Sequence, residues 1–420
     1  MQVLSWDKQT QKKVRRDYGT YFDTNVFKKV SRILAEVRQS GDLALRRYTR
    51  EFDGIDLPLK RLAVTQGDIN RAFEKIQVQF VPLLKQITEN VREYYEKELQ
   101  KSFEIQGANG VRLGKRYEPV ERLGIYIPAG TAPLVSTVYM TVIPAKVAGV
   151  KQIAIATPPR RDTGDIDPHI VAVANLLGVN EIYRVGGVQA IGGLAFGTKT
   201  IPKVDMIVGP GNAYVTEAKR QVYGFVDIDM VAGPSEVAIL ADHTANADYV
   251  TCDLLAQTEH HGGTGYLVTN SKKLVEVMRR RVDSGMIIQV KSVAEGCEVV
   301  NEIAPEHLEI MTEKPEEVAK SIRHAGAIFL GNYSPTVIGD YIAGPSHVLP
   351  TGGTARYFSP LCASTFIKSS QIIHYTETAL KAAKEHVQKL TDMEGLFLHR
   401  ISLEARLVKK PDDAEKEQGS

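Results

Sequence analysis

Gln152-Ile-Ala-Ile-Ala-Thr157 is a run of apolar residues closed by Pro158-Pro159, and it decides the fold of this chain. Its length and composition predict a β-strand. Similar runs at 124–128, 181–185, 205–209 and 226–231 also predict strands, and the segments between them predict helices at 140–150, 169–178, 188–196 and 213–223. Strands that alternate with single helices indicate a parallel sheet in a doubly wound α/β unit.

A second α/β unit follows this one. Strands are predicted at 237–241, 265–269 and 327–331, whereas residues 1–120 and the residues from about 365 on are predicted to be mostly helical. The chain can return to its first domain after residue 237. We therefore expect an N-terminal arm at 1–24, one α/β domain made of 25–121 plus 237–364, an inserted α/β domain at 122–236, and a C-terminal segment at 365–420 with a charged tail.

Composition limits the classes of partner and compartment. The 420 residues carry a net charge of +2, from 52 basic and 50 acidic side chains, which gives no support for a nucleic-acid partner. The N-terminus has no apolar signal region and no segment has the length of a membrane span, so we expect neither. The scattered cysteines Cys252, Cys297 and Cys362 fit a reducing cytoplasm, and Cys252 is expected to be buried.

One predicted helix ends in side chains that can bind a metal ion. Gln257 and His260 are three residues apart and share one helix face, whereas His261 points away from it. An amide oxygen and an imidazole nitrogen that point the same way form half of a zinc-type ligand set. The sequence therefore predicts metal-assisted chemistry.

Two glycine-rich segments follow predicted strands. Val208-Gly-Pro-Gly-Asn212 and Arg184-Val-Gly-Gly-Val-Gln189 each lie between a strand and a helix, where backbone amides can hold a phosphate or another anion. Neither is a complete dinucleotide fingerprint, since Tyr214 replaces the third glycine of the first segment. Tight turns, for which glycine is also the usual residue, remain an alternative.

Acidic residues and histidines meet in three further segments. In Ala304-Pro-Glu-His-Leu-Glu309, Glu306 beside His307 offers a base and a proton shuttle, provided that the backbone turns near Pro305. A surface acid beside a half-buried histidine is the alternative. The loop after Gly339 can present Asp340 and His347 to a site, and the segment from Glu394 to His399 is weaker and equally typical of a solvated helix end.

Taken together, these segments resemble the histidinol dehydrogenase family from about residue 34 to residue 399. The blocks that carry the resemblance are Ile127-Pro-Ala-Gly130, Ile143-Pro-Ala-Lys-Val-Ala-Gly149, Val208-Gly-Pro-Gly-Asn-Ala-Tyr-Val215, Ala232-Gly-Pro-Ser-Glu-Val237, Gln257-Thr-Glu-His260, Ala304-Pro-Glu-His-Leu-Glu309 and His347-Val-Leu-Pro-Thr-Gly-Gly-Thr-Ala-Arg356. Several independent blocks in one order make a chance match very improbable.

The resemblance implies a role for each matching residue. The zinc ligands would be Gln257, His260, Asp340 and His399, the last from the partner subunit of a homodimer with one zinc per subunit. The catalytic pair would be Glu306 and His307. Contacts to the substrate would add Ser235, His347 and Glu394, and contacts to NAD would come from Tyr126, Gln189 and Asn212. The implied fold is two incomplete Rossmann-like domains, with dinucleotide binding at 122–236, zinc and substrate in the other domain, and helical N- and C-terminal dimerisation segments.

The implied reaction is the zinc-dependent, four-electron oxidation of L-histidinol through histidinal to L-histidine with two NAD+, the last step of histidine biosynthesis. A dehydrogenase of the same fold that acts on another small alcohol is the main alternative. A zinc-dependent hydrolase and a binding protein with a structural zinc are further alternatives. Ser136 lies in a loop that varies within the family, so the sequence leaves its role open, as it does the choice between NAD and NADP.

Overall fold

The structure is a computed structural model that describes residues 1–16, 18–129, 133–259 and 262–408. The chain divides into two compact units. The larger unit comprises Met1–Leu99 and Pro119–Phe366, and the smaller comprises Gln100–Glu118 and the residues from Ile367 on. No helix in the described ranges is both long and apolar enough to cross a membrane.

The strands, numbered along the chain, are β1 (Gln2–Ser5), β2 (Phe103–Gln106), β3 (Arg112–Pro119), β4 (Arg122–Tyr126), β5 (Gln152–Thr157), β6 (Glu181–Arg184), β7 (Met206–Val208), β8 (Asp227–Ile228), β9 (Glu236–Ala241), β10 (Thr264–Thr269), β11 (Met286–Gln289), β12 (His307–Met311), β13 (Ala327–Leu330) and β14 (Ile367–His374).

The helices are α1 (Lys8–Val14), α2 (Tyr18–Tyr21), α3 (Thr24–Ser40), α4 (Asp42–Tyr48), α5 (Gln66–Lys75), α6 (Phe80–Glu98), α7 (Val135–Val147), α8 (Pro168–Leu176), α9 (Gly187–Phe196), α10 (Ala213–Val222), α11 (Ala247–Gln257), α12 (Lys272–Arg281), α13 (Val293–Ile303), α14 (Pro315–Ala319), α15 (Thr336–Tyr341), α16 (Glu377–Met393) and α17 (Phe397–Glu404).

A five-stranded parallel sheet forms the first half of the larger unit. Its order is β6-β5-β4-β7-β8, so the chain starts in the middle, builds one side and then crosses to the other. The strands are apolar and buried because helices cover both faces. Helices α3, α9 and α10 pack together over one face, with Ile33, Leu45 and Leu194 in the same core as Tyr126 of β4.

A six-stranded parallel sheet forms the second half, in the order β1-β11-β10-β9-β12-β13. Alternate residues of β9 face opposite cores. Ala238 and Leu240 pack with α13 and Val14 of α1, whereas Val237 and Ile239 pack with α11 and α12. Helix α11 therefore lies along the face of the sheet that carries the odd-numbered residues of β9.

The smaller unit contains an antiparallel pair of β2 with β3, which β14 joins in the order β14-β3-β2, followed by α16 and α17. It buries few apolar side chains. Ala379 and Leu403 are buried, but large apolar side chains on its strands and helices are exposed, among them Ile105, Ile373, Leu390, Met393, Phe397 and Leu398.

The predicted α/β class with two parallel sheets is confirmed. The strand predicted at 152–157 has the same bounds in the structure, and most other predicted strands differ by one or two residues. The N- and C-terminal regions are mostly helical, as predicted, but they also contain β1, β2, β3 and β14. Cys252 is exposed rather than buried, since the buried face of α11 is formed by Val250, Leu254 and Gln257.

The packing of the N-terminal third differs from the predicted domain grouping. Strand β1, in the predicted arm, pairs with β11 of the six-stranded sheet. Helices α3 and α4 cover the five-stranded sheet, although the sequence grouped them with residues 237–364. Hydrophobic periodicity identifies the apolar face of a helix, but it carries no information about which sheet that face covers.

Candidate active site

Glu306 and His307 lie at the amino end of β12, next to the amino end of β9. The Glu306 carboxylate accepts a hydrogen bond of 2.8 Å from the backbone N–H of Glu236, and His307 Nδ1 lies 3.2 Å from the carbonyl oxygen of the same residue. Their side chains approach to 3.6 Å. Ala304 ends α13 with φ of 49°, and this left-handed residue turns the chain into Pro305 just before Glu306.

Glu306 and His307 are both buried, and their surroundings shift their pKa values. Burial raises the pKa of Glu306 to about 7, the nearby His307 lowers it in part, and Asp340 raises it further. Burial alone would lower the pKa of His307, but the carboxylates of Glu306 and Asp340 raise it above its ordinary value. Asp340 Oδ1 lies 3.7 Å from His307 Nε2. A buried acid whose pKa is raised, beside an imidazole, can exchange protons with a substrate.

Glu309, also on β12, joins the strand to two helices. One carboxylate oxygen accepts hydrogen bonds from the backbone N–H of Thr336 in α15 (2.8 Å) and from its hydroxyl (2.7 Å). Asp253 of α11 shares a hydrogen bond with Glu309. We call Asp253, Glu309 and Thr336 the carboxyl bridge. It sets the positions of α11 and α15 relative to β12.

Each element that contributes to the carboxyl bridge also carries a predicted site residue, which lies nearer the amino ends of the strands. Gln257 is one turn further along α11, Asp340 is one turn further along α15, and His307 is two residues back on β12. The end of α11 reaches this edge, since the N–H of Thr264, beyond that end, donates a 3.1 Å hydrogen bond to the carbonyl of Ser235. His307 and Asp340 therefore meet at this edge of the sheet, and Gln257 ends α11 one turn beyond Asp253.

Donor atoms at this edge are buried without partners. Gln257 is 5% exposed, and its amide Nε2 and the Nε2 of His307 have no hydrogen-bond partner among the described residues. Unpartnered buried polar atoms are costly and point to a missing ligand. His260 and His261 lie outside the described residues. Within the described ranges no group of three or more His, Cys, Asp or Glu side chains is arranged to hold a metal.

Ser235 and Glu236, at the start of β9, contact Glu306 and His307. The Ser235 hydroxyl donates to the Glu306 carboxylate, which lowers the pKa of Glu306 somewhat against the effect of burial. Glu236 is fully buried and forms an ion pair with Arg16, and its Oε1 accepts a 3.0 Å hydrogen bond from the N–H of Gly352. Sequence reasoning missed Glu236 and Arg16. A glutamate that opens a strand beside Ser235 was the available signal.

His347 connects this edge to the five-stranded half of the unit. Its Nε2 lies 3.0 Å from the hydroxyl of Ser136 at the start of α7. One turn further on, the Tyr139 hydroxyl donates a 3.0 Å hydrogen bond to the carbonyl of Tyr341, next to Asp340. The start of the first helix of the five-stranded half therefore lies beside the segment that carries Asp340 and His347.

The three predicted nucleotide contacts lie at the carboxyl edge of the five-stranded sheet. Tyr126 ends β4, and its hydroxyl accepts a 3.1 Å hydrogen bond from the N–H of Gly187, which begins α9. Gln189 is fully buried on α9, and neither of its amide atoms has a partner among the described residues. Asn212 caps α10 by accepting hydrogen bonds from the N–H groups of Tyr214 (3.0 Å) and Val215 (3.2 Å).

This edge contains a topological switch point. The chain adds β5 and β6 on one side of β4, and then returns to place β7 on the other side of β4. Gly209 follows β7 with φ of 115°, and a Cβ atom there would lie 2.1 Å from the carbonyl oxygen of Tyr126. Lys219 donates a 2.9 Å hydrogen bond to the Gly209 carbonyl and pairs with Asp229, which accepts from the Gly209 N–H. In open α/β sheets, ligands bind in the crevice at such a point.

Glu394 and His399 belong to the smaller unit. Glu394 follows α16 as its C-terminal cap, and His399 lies in the first turn of α17. Both side chains are exposed, so both are available to a group outside their own unit.

Known proteins share this fold and sequence. The sequence model of the family described as histidinol dehydrogenase matches residues 18–407. Histidinol dehydrogenase of Bacillus cereus is 44% identical over 413 residues, which cover 94% of this chain and 95% of the relative. That of Clostridium acetobutylicum is 44% identical over 403 residues, covering 91% and 93%. The crystal structure of histidinol dehydrogenase from Elizabethkingia anophelis superposes with a TM-score of 0.90 at 34% identity, covering 97% of this chain and 98% of that one. The chain therefore belongs to the histidinol dehydrogenase family.

Proposed function

We propose that this protein oxidises L-histidinol through histidinal to L-histidine, reducing two NAD+ per substrate with the help of a zinc ion, as the last step of histidine biosynthesis. Membership of the family makes the chain an NAD-dependent oxidoreductase that acts on a CH–OH group. The observation that carries the proposal is the buried Glu306–His307 pair, whose side chains are 3.6 Å apart, with Asp340 beside it. The three unpaired cysteines suit the cytoplasm, where we place this reaction.

His307 is the base of the first oxidation. Its Nε2 has no hydrogen-bond partner within the described part of the chain and faces Asp340, whereas its Nδ1 is held by the Glu236 carbonyl. A carbonyl partner at Nδ1 fixes the proton there and leaves Nε2 free to accept the proton of the substrate hydroxyl. His307 then carries the proton that the alcohol loses as its carbon is oxidised.

Glu306 is the base of the second oxidation. Its pKa of about 7 lets it take a proton from water near neutral pH, and that water adds to the aldehyde carbon of histidinal. Oxidation of the resulting hydrate gives the carboxylate. Burial of both residues keeps bulk water away and retains the reactive aldehyde.

Gln257, His260, Asp340 and His399 are the residues that would hold zinc. The Asp340 carboxylate near His307 and the side-chain oxygen of the buried Gln257 are ligand types that fit this group. When bound, zinc would orient the imidazole and amine of the substrate, and NAD would accept the hydride. A glutamine and an aspartate in the set favour a functional rather than a structural metal.

Substrate and cofactor contacts complete the proposal. Ser235, His347 and Glu394 would contact L-histidinol, and the acid would suit its cationic amine. Tyr126, Gln189 and Asn212 would contact NAD in the 122–236 domain, while residues 237–364 would supply most of the zinc and substrate site. Ser136 supports this arrangement, because its 3.0 Å contact with His347 joins the cofactor half to the substrate half.

The protein would act as a homodimer in which His399 and Glu394 serve the partner's site. The smaller unit exposes Ile373, Met393, Phe397 and Leu398, with Phe397 and Leu398 68% and 76% exposed. So many exposed large apolar side chains in one small unit favour a surface that another chain covers.

The test is the number of NADH formed per limiting L-histidinol, measured by absorbance with purified protein, zinc and NAD+. We expect two, and we expect His307→Ala and Glu306→Gln to lower the rate by about 10²–10⁴-fold. Glu306→Gln should impair histidinal oxidation more than histidinol oxidation. His243→Ala, an exposed histidine at the opposite end of β9, is the control and should keep full activity.

Two outcomes would contradict the proposal. One NADH per substrate with free aldehyde would remove the role of Glu306. No NADH with L-histidinol but turnover of another small alcohol would identify a different substrate for the same fold.

A further inference from the structure

Dinucleotide-binding folds usually take an acid from the end of the second strand of the sheet to bind the adenosine ribose. Here that strand is β5, which ends in Thr157-Pro158-Pro159-Arg160 and offers no acid. The next acid, Asp162, is engaged by Arg160 through hydrogen bonds of 3.2 and 2.7 Å. The five-stranded sheet therefore lacks the usual ribose-binding carboxylate on its own strands.

Asp53, which precedes the five-stranded sheet in the chain, lies near the end of β5. It ends a π-helical turn, Thr49–Asp53, that Gly54 closes with φ of 75°. Phe52 stacks on Tyr48 at 5.5 Å, and both pack against the core that contains Tyr126 and Val188. The guanidinium of Arg161, just after β5, donates a 3.4 Å hydrogen bond to the Phe52 carbonyl. Asp53 thus lies beside the loop that follows β5, close enough to Tyr126 for their charges to interact.

The Asp53 carboxylate is buried without being satisfied. Its Oδ2 has no hydrogen-bond partner in the described ranges. Burial raises the pKa of Asp53 to about 6, and Arg161 lowers it only in part. The same edge of the sheet carries the fully buried Gln189, whose amide also has no partner among the residues that the structure describes. Each such group costs roughly 1–3 kcal/mol unless a ligand pairs with it.

We propose that Asp53 accepts hydrogen bonds from the adenosine ribose hydroxyls of NAD and thereby makes the enzyme select NAD over NADP. This inference rests on the proposed function, since it requires that the 122–236 domain binds a dinucleotide. A carboxylate is an acceptor for hydroxyl groups and repels a 2′-phosphate. Arg161 next to it would be free to attract that phosphate once the carboxylate is removed.

The experiment measures binding directly, by isothermal titration calorimetry of the zinc-loaded dimer with NAD+, NADP+ and the NAD+ analogue that lacks the adenosine 2′-hydroxyl. Asp53→Asn should weaken NAD+ binding by about 10–100-fold. It should weaken NADP+ binding less or strengthen it. The analogue should bind the wild type more weakly than NAD+ does, and the gap between the two ligands should narrow in the variant, because loss of the negative charge weakens the hydrogen bond that the analogue lacks.

Two controls isolate the inference. Asp162→Asn changes an exposed acid on the neighbouring loop and should leave all three affinities unchanged. Asp53→Ser provides a second variant with a smaller polar side chain, so the result does not depend on one substitution folding. Wild-type binding of NAD+ with unchanged affinities in both Asp53 variants would overturn the role of Asp53 alone. Absence of NAD+ binding to the wild type would overturn the proposed function itself.

Discussion

Single residues at this site are placed by backbone conformations that most side chains avoid. Ala304 has φ of 49°, and this left-handed residue turns the chain from α13 into the segment that carries Glu306 and His307. Gly209 has φ of 115° and lies against the Tyr126 carbonyl, where no side chain fits. Strained or crowded backbone of this kind is concentrated at functional sites and is stabilised by the surrounding fold.

Gly209→Ala should destabilise the protein far more than Gly224→Ala. Both glycines have positive φ, 115° and 97°, but nothing lies within 4 Å of the Cβ position at Gly224. The conformational cost alone is roughly 1–2 kcal/mol, and the clash with Tyr126 should bring the loss at Gly209 to about 3 kcal/mol or more. Urea unfolding of the two variants measures the difference. Equal losses would show that the loop moves away from Tyr126 at little cost.

Asp53→Asn should raise the free energy of unfolding at neutral pH. The pKa of Asp53 is raised from 3.8 to about 6 in the folded protein, chiefly by burial and despite Arg161, with Tyr126 the other nearby titratable group. Folding therefore favours the protonated acid, and the wild type loses stability as pH rises between these values. The variant should be more stable by about 1–3 kcal/mol above pH 7.

Urea unfolding between pH 4 and pH 8 measures this effect. The difference between the proteins should be smallest near pH 4, where Asp53 is protonated in the folded state and about half protonated in the unfolded state. A difference that does not change with pH would mean that the carboxylate is solvated. A ligand-binding group is expected to lower the stability of the free protein and to raise its affinity for the ligand.

At the scale of elements, the carboxyl bridge relates two helices to one strand. Glu309 lies between Asp253 of α11 and Thr336 of α15, and each partner precedes a predicted zinc ligand by one helical turn. Burial raises the pKa of Glu309 to about 7, and the charge of Asp253 raises it further. A hydrogen bond between two carboxyl groups requires a proton on one of them, and burial of both groups favours that protonated state.

Glu309→Gln should remove a pH dependence and keep the geometry, because an amide oxygen still accepts from Thr336. The wild type should lose about 1–3 kcal/mol of stability relative to this variant as pH rises from about 4.5 through 7, since the folded protein favours the protonated pair. Glu309→Ala should lose stability at every pH, together with kcat. Thermal unfolding from pH 5 to pH 8.5 tests both, with the exposed Glu313, beyond the other end of β12, changed to Gln as the control. Identical curves for wild type and Glu309→Gln would mean that the pair carries no shared proton.

At the scale of the whole molecule, the predicted functional residues lie at opposite edges of the two sheets. The predicted NAD contacts lie at the carboxyl edge of the five-stranded sheet, as general rules for open α/β sheets predict. Glu306, His307 and Glu236 lie at the amino ends of β12 and β9 instead. Helix α7 links the halves, through the contact of Ser136 with His347. The two remaining predicted residues, Glu394 and His399, belong to the other compact unit.

The proposed sharing of the active site between two subunits predicts that two inactive variants restore each other. His307→Ala and His399→Ala homodimers should both be inactive, but a mixed dimer would have one site with both histidines intact. Co-expression or co-refolding in equal amounts should therefore recover about a quarter of wild-type activity if dimers form at random. Mixing His307→Ala with His386→Ala, which changes an exposed histidine of α16, should give activity from the second variant alone. No recovery with His399→Ala would place His399 in the site of its own chain.

Local patterns in the sequence were sufficient for the α/β class and for most of the buried strands. Strand β5 was predicted with its observed bounds because a parallel strand that is buried on both faces is a continuous apolar run. Strand β12 was missed because it begins with His307 and contains Glu309, whose polarity interrupts such a run. In the exposed strands β2, β3 and β14, polar residues likewise interrupt the apolar pattern, so the sequence did not indicate these strands.

Short motifs, read with the family resemblance, also identified Gln257, Glu306, His307 and Asp340 as candidates. The approach of Asp340 to the Glu306–His307 pair, the position of Asp53 beside β5, and the ion pair of Arg16 with Glu236 depend on the packed fold. Periods of 2 and 3.6 residues follow from local backbone geometry and can be read along the chain. The apolar face of a helix, in contrast, fits any apolar surface of the right shape, so contacts between distant residues exist only once the sheets and helices have packed.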